Sequence, residues 1–146
     1  MRKATICPTI GLMMMVLLSG IALAQEPQWT VIEHVFLTQQ TQSIEPTTLA
    51  TPTEPGLYRI SLYFSRGGLF GKGSYAASLS GFDISGLPFG GGMTFDCASI
   101  AGWYSMPPTT LMLRPQSSLT YKVVSANGQL SCYYNLAITV EQLVQQ

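Results

Sequence analysis

From Leu57 to Phe64 the chain alternates. Tyr58, Ile60, Leu62 and Phe64 are apolar or aromatic, while Arg59 and Ser61 stand between them. A period of two is the pattern of a strand with one buried face. Pro55-Gly56 is a turn signal that marks where this strand begins. The same alternation recurs along the chain. Trp29, Val31, Val35 and Leu37 share one parity of a first strand over Gln28 to Leu37, and Ile32, His34 and Phe36 share the other. Tyr75, Ala77 and Leu79 alternate with small polar residues. Met93, Phe95 and Cys97 share a face, as do Leu111 and Leu113, and Leu119, Tyr121 and Val123. The last strand carries Cys132, Tyr134, Leu136, Ile138 and Val140 on one face.

The intervals between these runs read as turns and connectors. Thr38 to Pro46 has no periodicity and reads as an extended connector, followed by a short edge strand over Thr47 to Thr51. Arg66 to Gly73 reads as a glycine-rich hairpin tip and Gly86 to Gly92 as a second flexible loop. Ala101 to Pro108 ends in two prolines that should stop any regular element. Asn127-Gly128 accepts positive φ and marks a tight turn. No stretch after the first two dozen residues holds a 3.6 period over three turns. The expectation is an all-β protein, an antiparallel β-sandwich. One domain should cover 25–146, with an N-terminal strand and connector over 25–46 and the main sandwich over 47–143.

The first 24 residues follow a different pattern. Arg2 and Lys3 precede an apolar core at Ile10 to Leu18, and Ala22-Leu23-Ala24 offers the small residues of a cleavage site. This is the form of an export signal. An uncleaved anchor is the alternative, although Pro8, Gly11, Ser19 and Gly20 interrupt the span. After cleavage the chain would be secreted or periplasmic, with no membrane span. Five cations (Arg59, Arg66, Lys72, Arg114, Lys122) then face seven anions (Glu26, Glu33, Glu45, Glu54, Asp83, Asp96, Glu141). The cations do not cluster, which argues against nucleic acid as a partner. Cys7 lies in the leader, leaving Cys97 and Cys132. In an oxidising compartment such a pair reads as one disulfide. Two free buried thiols are the alternative.

Two segments carry a resemblance. Thr51-Pro52-Thr53-Glu54-Pro55-Gly56-Leu57-Tyr58-Arg59-Ile60 resembles the segment that opens a core strand in C1q/TNF-like domains. Leu111-Met112-Leu113-Arg114-Pro115-Gln116-Ser117-Ser118-Leu119-Thr120-Tyr121 is similar to that family's later strand, polar turn and strand. Small jelly-roll modules of bacterial and phage surface proteins show similar stretches. The resemblance implies a jelly-roll sandwich, a binding role and assembly into homo-oligomers such as trimers. It assigns no site residue.

Candidate chemistry is sparse. His34 is the single histidine and no Gly-x-Ser-x-Gly elbow accompanies it. Asp83 and Asp96 read as turn carboxylates rather than a glycosidase pair. Gly71-Lys72-Gly73-Ser74-Tyr75-Ala76 matches a dinucleotide pattern by letter, but no helix follows it. We therefore expect no catalytic residue, no cofactor and no metal site. Trp103 and Tyr104 are the strongest candidates for contact with a ligand or partner, as aromatic side chains that stack a sugar or anchor a protein; a core plug folded under the end of the sandwich is the alternative, and the one large aromatics favour. Phe70 and Phe89, at or near the tips of the glycine-rich loops, are further candidates. The function expected is a non-enzymatic binding or assembly module outside the cytoplasm. Its partners would be copies of itself, a protein or a glycan; the alternative is a small carbohydrate-binding module, and behind it stands a hydrolase whose site no motif reveals.

Overall fold

The computed structural model describes residues 26–67, 72–98, 102–126 and 132–144. The leader, Cys7, Phe70 and the Asn127-Gly128 turn lie outside the described residues. Eight strands follow in order: β1 (Gln28–Gln40), β2 (Ile44–Ala50), β3 (Gly56–Gly67), β4 (Ser74–Phe82), β5 (Pro88–Asp96), β6 (Trp103–Leu113), β7 (Leu119–Ala126) and β8 (Tyr133–Val144). They form two four-stranded antiparallel sheets. Sheet A has the order β1-β8-β3-β6 and sheet B the order β2-β7-β4-β5.

The pairings show how the chain is wound. β1 pairs with β8, β2 with β7, β3 with β6 and β4 with β5. The chain is thus one long hairpin with the β4–β5 turn at its tip. Rolled up, it is closed by β3 pairing with β8 and β4 with β7. This is the jelly-roll topology. The turn at the tip is shaped by Asp83, whose Oδ1 accepts hydrogen bonds from the backbone N–H groups of Ser85 (2.9 Å) and Leu87 (2.8 Å).

The core lies between the sheets and comes from the alternating residues. Tyr58, Ile60, Leu62 and Phe64 of β3 meet Tyr134, Leu136, Ile138 and Val140 of β8 on the inner face of sheet A. Tyr75, Ala77 and Leu79 of β4, Phe95, and Leu119, Tyr121 and Val123 of β7 form the opposing face. An aromatic cluster fills one end. Phe64 packs edge-on to Phe95 at 5.3 Å and against Tyr134 at 5.0 Å, and Tyr134 packs on Tyr75 at 4.5 Å. The buried phenols find backbone partners, as buried hydroxyls must. Tyr134 donates to the carbonyl of Gln42 (2.9 Å), Tyr75 reaches that of Thr41 (3.2 Å), and Tyr58 donates to that of Glu54 (2.9 Å). Burial pushes the ionisation of all three phenols above the ordinary tyrosine range.

Cys97 and Cys132 form a disulfide, their Cα atoms 5.9 Å apart. Cys97 follows β5 of sheet B and Cys132 precedes β8 of sheet A, so the bridge joins the two sheets. Closing a loop between residues 35 apart in sequence contributes roughly 3–4 kcal/mol in the chain-entropy model.

Four intervals differ from their sequence reading. Thr38 to Pro46 is not a connector: β1 runs to Gln40 and β2 starts at Ile44, with a three-residue turn held by the phenols of Tyr75 and Tyr134. Arg66 to Gly73 does not close a hairpin, because β3 lies in sheet A and β4 in sheet B. The glycines of Gly86 to Gly92 are largely strand, and the turn lies before them at 83–87. At Gly92 the reason is space, since a Cβ there would stand 2.6 Å from the carbonyl oxygen of Ala77. Finally, Trp103 to Leu113 continues through Pro107-Pro108. β6 is an edge strand, where missing N–H donors cost nothing in the ladder, and the prolines occupy a bulge opposite Ile60 to Leu62.

Candidate functional site

Each strand of sheet A has a second face, turned away from the core. Residues directly opposite one another in an antiparallel pair share a face. Phe36 of β1 pairs with Ala137 of β8, which pairs with Tyr63 of β3, which pairs with Ser105 of β6. One step along, Asn135 pairs with Ser65 and Ser65 with Trp103. One step the other way, His34 pairs with Thr139 and Thr139 with Ser61. The outer face therefore carries two banks of rings separated by the small side chains of β8.

The rings are open to solvent. Phe36 is 64% exposed, Trp103 62% and Tyr63 43%. In each bank the planes are near parallel: His34 and Phe36 lie 19° apart at 6.5 Å, and Tyr63 and Trp103 lie 16° apart at 6.5 Å. Between the banks runs a trough of about 470 Å³, lined by Phe36, Thr38, Gln39, Tyr63, Ser65, Gly67, Tyr133, Asn135 and Ala137 and by part of Leu136. Tyr133 lies across Gly67, where a Cβ would fall 1.6 Å from the phenol ring. Glycine at position 67 is what lets that ring lie flat on the sheet.

The polar side chains of the trough are neutral, and Asn135 is held in place at its centre. Asn135 accepts from the backbone N–H of Gln39 (2.9 Å) through Oδ1 and donates to Ser65 Oγ (3.2 Å) through Nδ2. Gln39 has φ of 54°, the left-handed region, at a bulge where β1 leaves the register of β8. Beyond the rows, Arg59 forms a two-pronged ion pair with Glu141 (2.6 and 2.7 Å) and covers the Trp29 ring at 4.5 Å. The hydrogen bonds from Arg59 hold the Glu141 carboxyl below the usual carboxylate range, and the same bonds raise Arg59.

The structure separates the candidates named from sequence. Trp103 is on the outer face, while Tyr104 turns inward and meets Phe95 edge-on at 5.4 Å. Neighbouring residues of a strand point to opposite faces, so the two rings cannot share a site once β6 is a strand. Phe89 is half-buried against the core, close over Gly81, whereas Leu87 in the preceding turn is 63% exposed. Asp83 and Asp96 stand at opposite ends of β5, roughly 25 Å of extended chain apart. Both accept hydrogen bonds from nearby backbone N–H groups. His34 Nδ1 is bonded to Thr139 Oγ1 at 3.0 Å. Tyr63 and Phe36 were not singled out from sequence. The signal for Tyr63 was present: it sits on the outward parity of β3, with Arg59 and Ser61.

Among the described residues no group of three or more His, Cys, Asp or Glu side chains is placed to hold a metal ion. Nor is any helix there long and apolar enough to cross a membrane. No known family model matches the chain, and no curated protein matches it in sequence.

Proposed function

We propose that this chain is a non-enzymatic binding module of an oxidising, extracytoplasmic compartment, and that it takes its partner on the outer face of sheet A. The disulfide supports the compartment. The observation that carries the binding role is the pair of exposed ring banks, Phe36 with His34 and Tyr63 with Trp103, on one rigid sheet. Folding does not require them, because the inner face of the same strands already supplies the core. Exposed apolar clusters of this kind mark interaction surfaces. His34 bonds to a threonine hydroxyl rather than a carboxylate, which favours binding over acid–base chemistry.

Self-assembly is the second reading. The resemblance to C1q/TNF-like domains implies a trimer, and the exposed rings of sheet A would supply the apolar surface for one. Light scattering on the purified chain separates the two: assembly on this face gives a particle that Trp103→Ser returns to a monomer.

The binding role is tested by oxidative footprinting of Trp103 in intact cells that make the protein and in the purified chain. Coverage in place, with free labelling after purification, is the expected result. Equal labelling in both would remove the outer face of sheet A as the recognition surface.

A further inference from the structure

We infer that the trough along β8 holds a neutral polysaccharide chain, its sugar rings lying against Phe36 and Tyr63 over a floor of Ala137 and Asn135. This rests on the outer face of sheet A being the recognition surface. Three features of the trough select this chemistry.

The first is the arrangement of apolar and polar groups. A pyranose ring presents apolar C–H faces and a rim of hydroxyls. It needs flat aromatic surfaces with hydrogen-bonding groups set between them. Phe36 and Tyr63 stand on either side of Ala137, both in direct register with it, so a ring-sized slot opens between two aromatic walls. Asn135, Ser65 and Thr38 supply amide and hydroxyl groups along the same slot. Aromatic residues combine a large apolar contact with little loss of side-chain freedom.

The second is charge. Among the described residues no Asp, Glu, Lys or Arg lines the trough. Arg59 and Glu141, two positions beyond Ser61 and Thr139 on the same face, neutralise each other in a two-pronged pair. An anionic polymer, a phosphopeptide or an acidic lipid surface would meet no available cation in the trough, and its affinity would be left without its main source. A neutral polyhydroxylated ligand loses nothing there.

The third is size and rigidity. The trough, about 470 Å³, falls within the ~300–1,000 Å³ of small-ligand sites. Its floor is the inner strand of a four-stranded sheet, and its mouth is shaped by the β1 bulge. Gln39 is held there in the left-handed region by the hydrogen bond from its N–H to Asn135. A side-chain-bearing residue keeps that conformation only when its surroundings enforce it. The slot is thus formed before any ligand arrives, which suits the weak individual contacts that sugars make.

The test is affinity electrophoresis of the full chain through gels containing soluble neutral polysaccharides: a mixed-linkage β-glucan, a xylan, a mannan and an α-glucan. Heparin and polygalacturonate serve as anionic controls. We expect at least one neutral polymer to retard the protein, with little dependence on salt. Phe36→Ala and Tyr63→Ala should each weaken that retardation about tenfold or more, while Lys122→Ala on the opposite sheet leaves it unchanged. These side chains are exposed or half-exposed, and an unchanged thermal transition will show that the variants fold. Retardation by no neutral polymer, or by the anionic polymers alone, overturns the inference. If Trp103 is nevertheless covered in cells, the recognition face stands and its partner is a protein or another copy of the chain. Binding that survives Tyr63→Ala and is lost in Lys122→Ala overturns both the glycan trough and the recognition face.

Discussion

The two outer faces of the sandwich were built under the same constraint and came out differently. Sheet B turns Ser74, Ala76, Ser78, Ser80 and Phe82 of β4, Pro88, Gly90, Gly92, Thr94 and Asp96 of β5, and Thr120, Lys122 and Val124 of β7 away from the core. These side chains are mostly small and neutral, and Ser80 and Thr120 hydrogen-bond across the strands at 2.9 Å. Sheet A turns out Trp29, His34, Phe36, Tyr63, Trp103 and Tyr133. A jelly roll needs only its inner faces to be apolar. Sheet B exposes a single aromatic ring there, Phe82 at the end of β4, among the described residues. The aromatic side chains of sheet A exceed that need, and the excess is the argument for function.

Four measurements break or sharpen this contrast. The largest effect belongs to the layer between the faces. Leu136→Ala, at a side chain with no exposed surface, should cost about 2–5 kcal/mol in chemical denaturation. Loss of the sheet-to-sheet disulfide should cost roughly 3–4 kcal/mol. A loss well under ~1 kcal/mol for either would mean that the sheets are not joined as described.

Next come the two glycines that face outward under crowding. A Cβ at Gly92 meets the rigid carbonyl of Ala77, whereas one at Gly67 meets only the Tyr133 ring. Gly92→Ala should therefore destabilise by about 1–3 kcal/mol, and Gly67→Ala by less, because the ring can swing away. Gly67→Ala should instead reshape the trough. The reverse order of stabilities would put the rigid neighbour on the wrong face.

Smaller still is the stability effect of removing the exposed rings. Phe36→Ser and Trp103→Ser should each shift unfolding by under about 1 kcal/mol while raising solubility. A loss comparable with that of Leu136→Ala would mark these rings as structural and dissolve the contrast between the faces.

The smallest effect is acid dependence. Arg59 holds the folded Glu141 carboxyl below its ordinary range. Between that lowered value and the ordinary value near ~4.3, the unfolded chain binds more protons, so stability rises with pH. The contribution is complete above the ordinary value and disappears as pH falls through the folded one. Denaturation midpoints followed from about pH 5 to about pH 3 should fall less steeply in Glu141→Gln than in the unsubstituted chain. Parallel curves would show that the pair on this exposed face contributes nothing measurable.

Much of the fold is legible in the sequence. The alternation of Tyr58, Ile60, Leu62 and Phe64, and of Cys132 through Val140, assigned the buried faces of β3 and β8 correctly. Cys97 and Cys132 both fell on inward positions, and they form the disulfide. The glycine- and proline-rich stretches were misread for a common reason. Gly and Pro disfavour strands in isolation, but an edge strand tolerates missing donors and a close neighbour can demand the absence of a Cβ. Gly90 to Gly92 and Pro107-Pro108 both lie on edges. The candidate site was half legible. Trp103 was named with Tyr104, and only the assignment of β6 as a strand sent one ring outward and the other into the core.

Period two is a local property, so the chain by itself determined which side chains of each strand are buried together. It did not determine which strands become neighbours. His34 meets Thr139 across 105 residues of sequence, and Gln39 meets Asn135 across 96. No pattern along the chain encodes the order β1-β8-β3-β6, because that order follows from how the long hairpin rolls to close both sheets over one core. The tertiary structure alone brought Phe36 and Tyr63 to either side of Ala137. It made a trough out of three residues that the sequence presents as unrelated members of three strands.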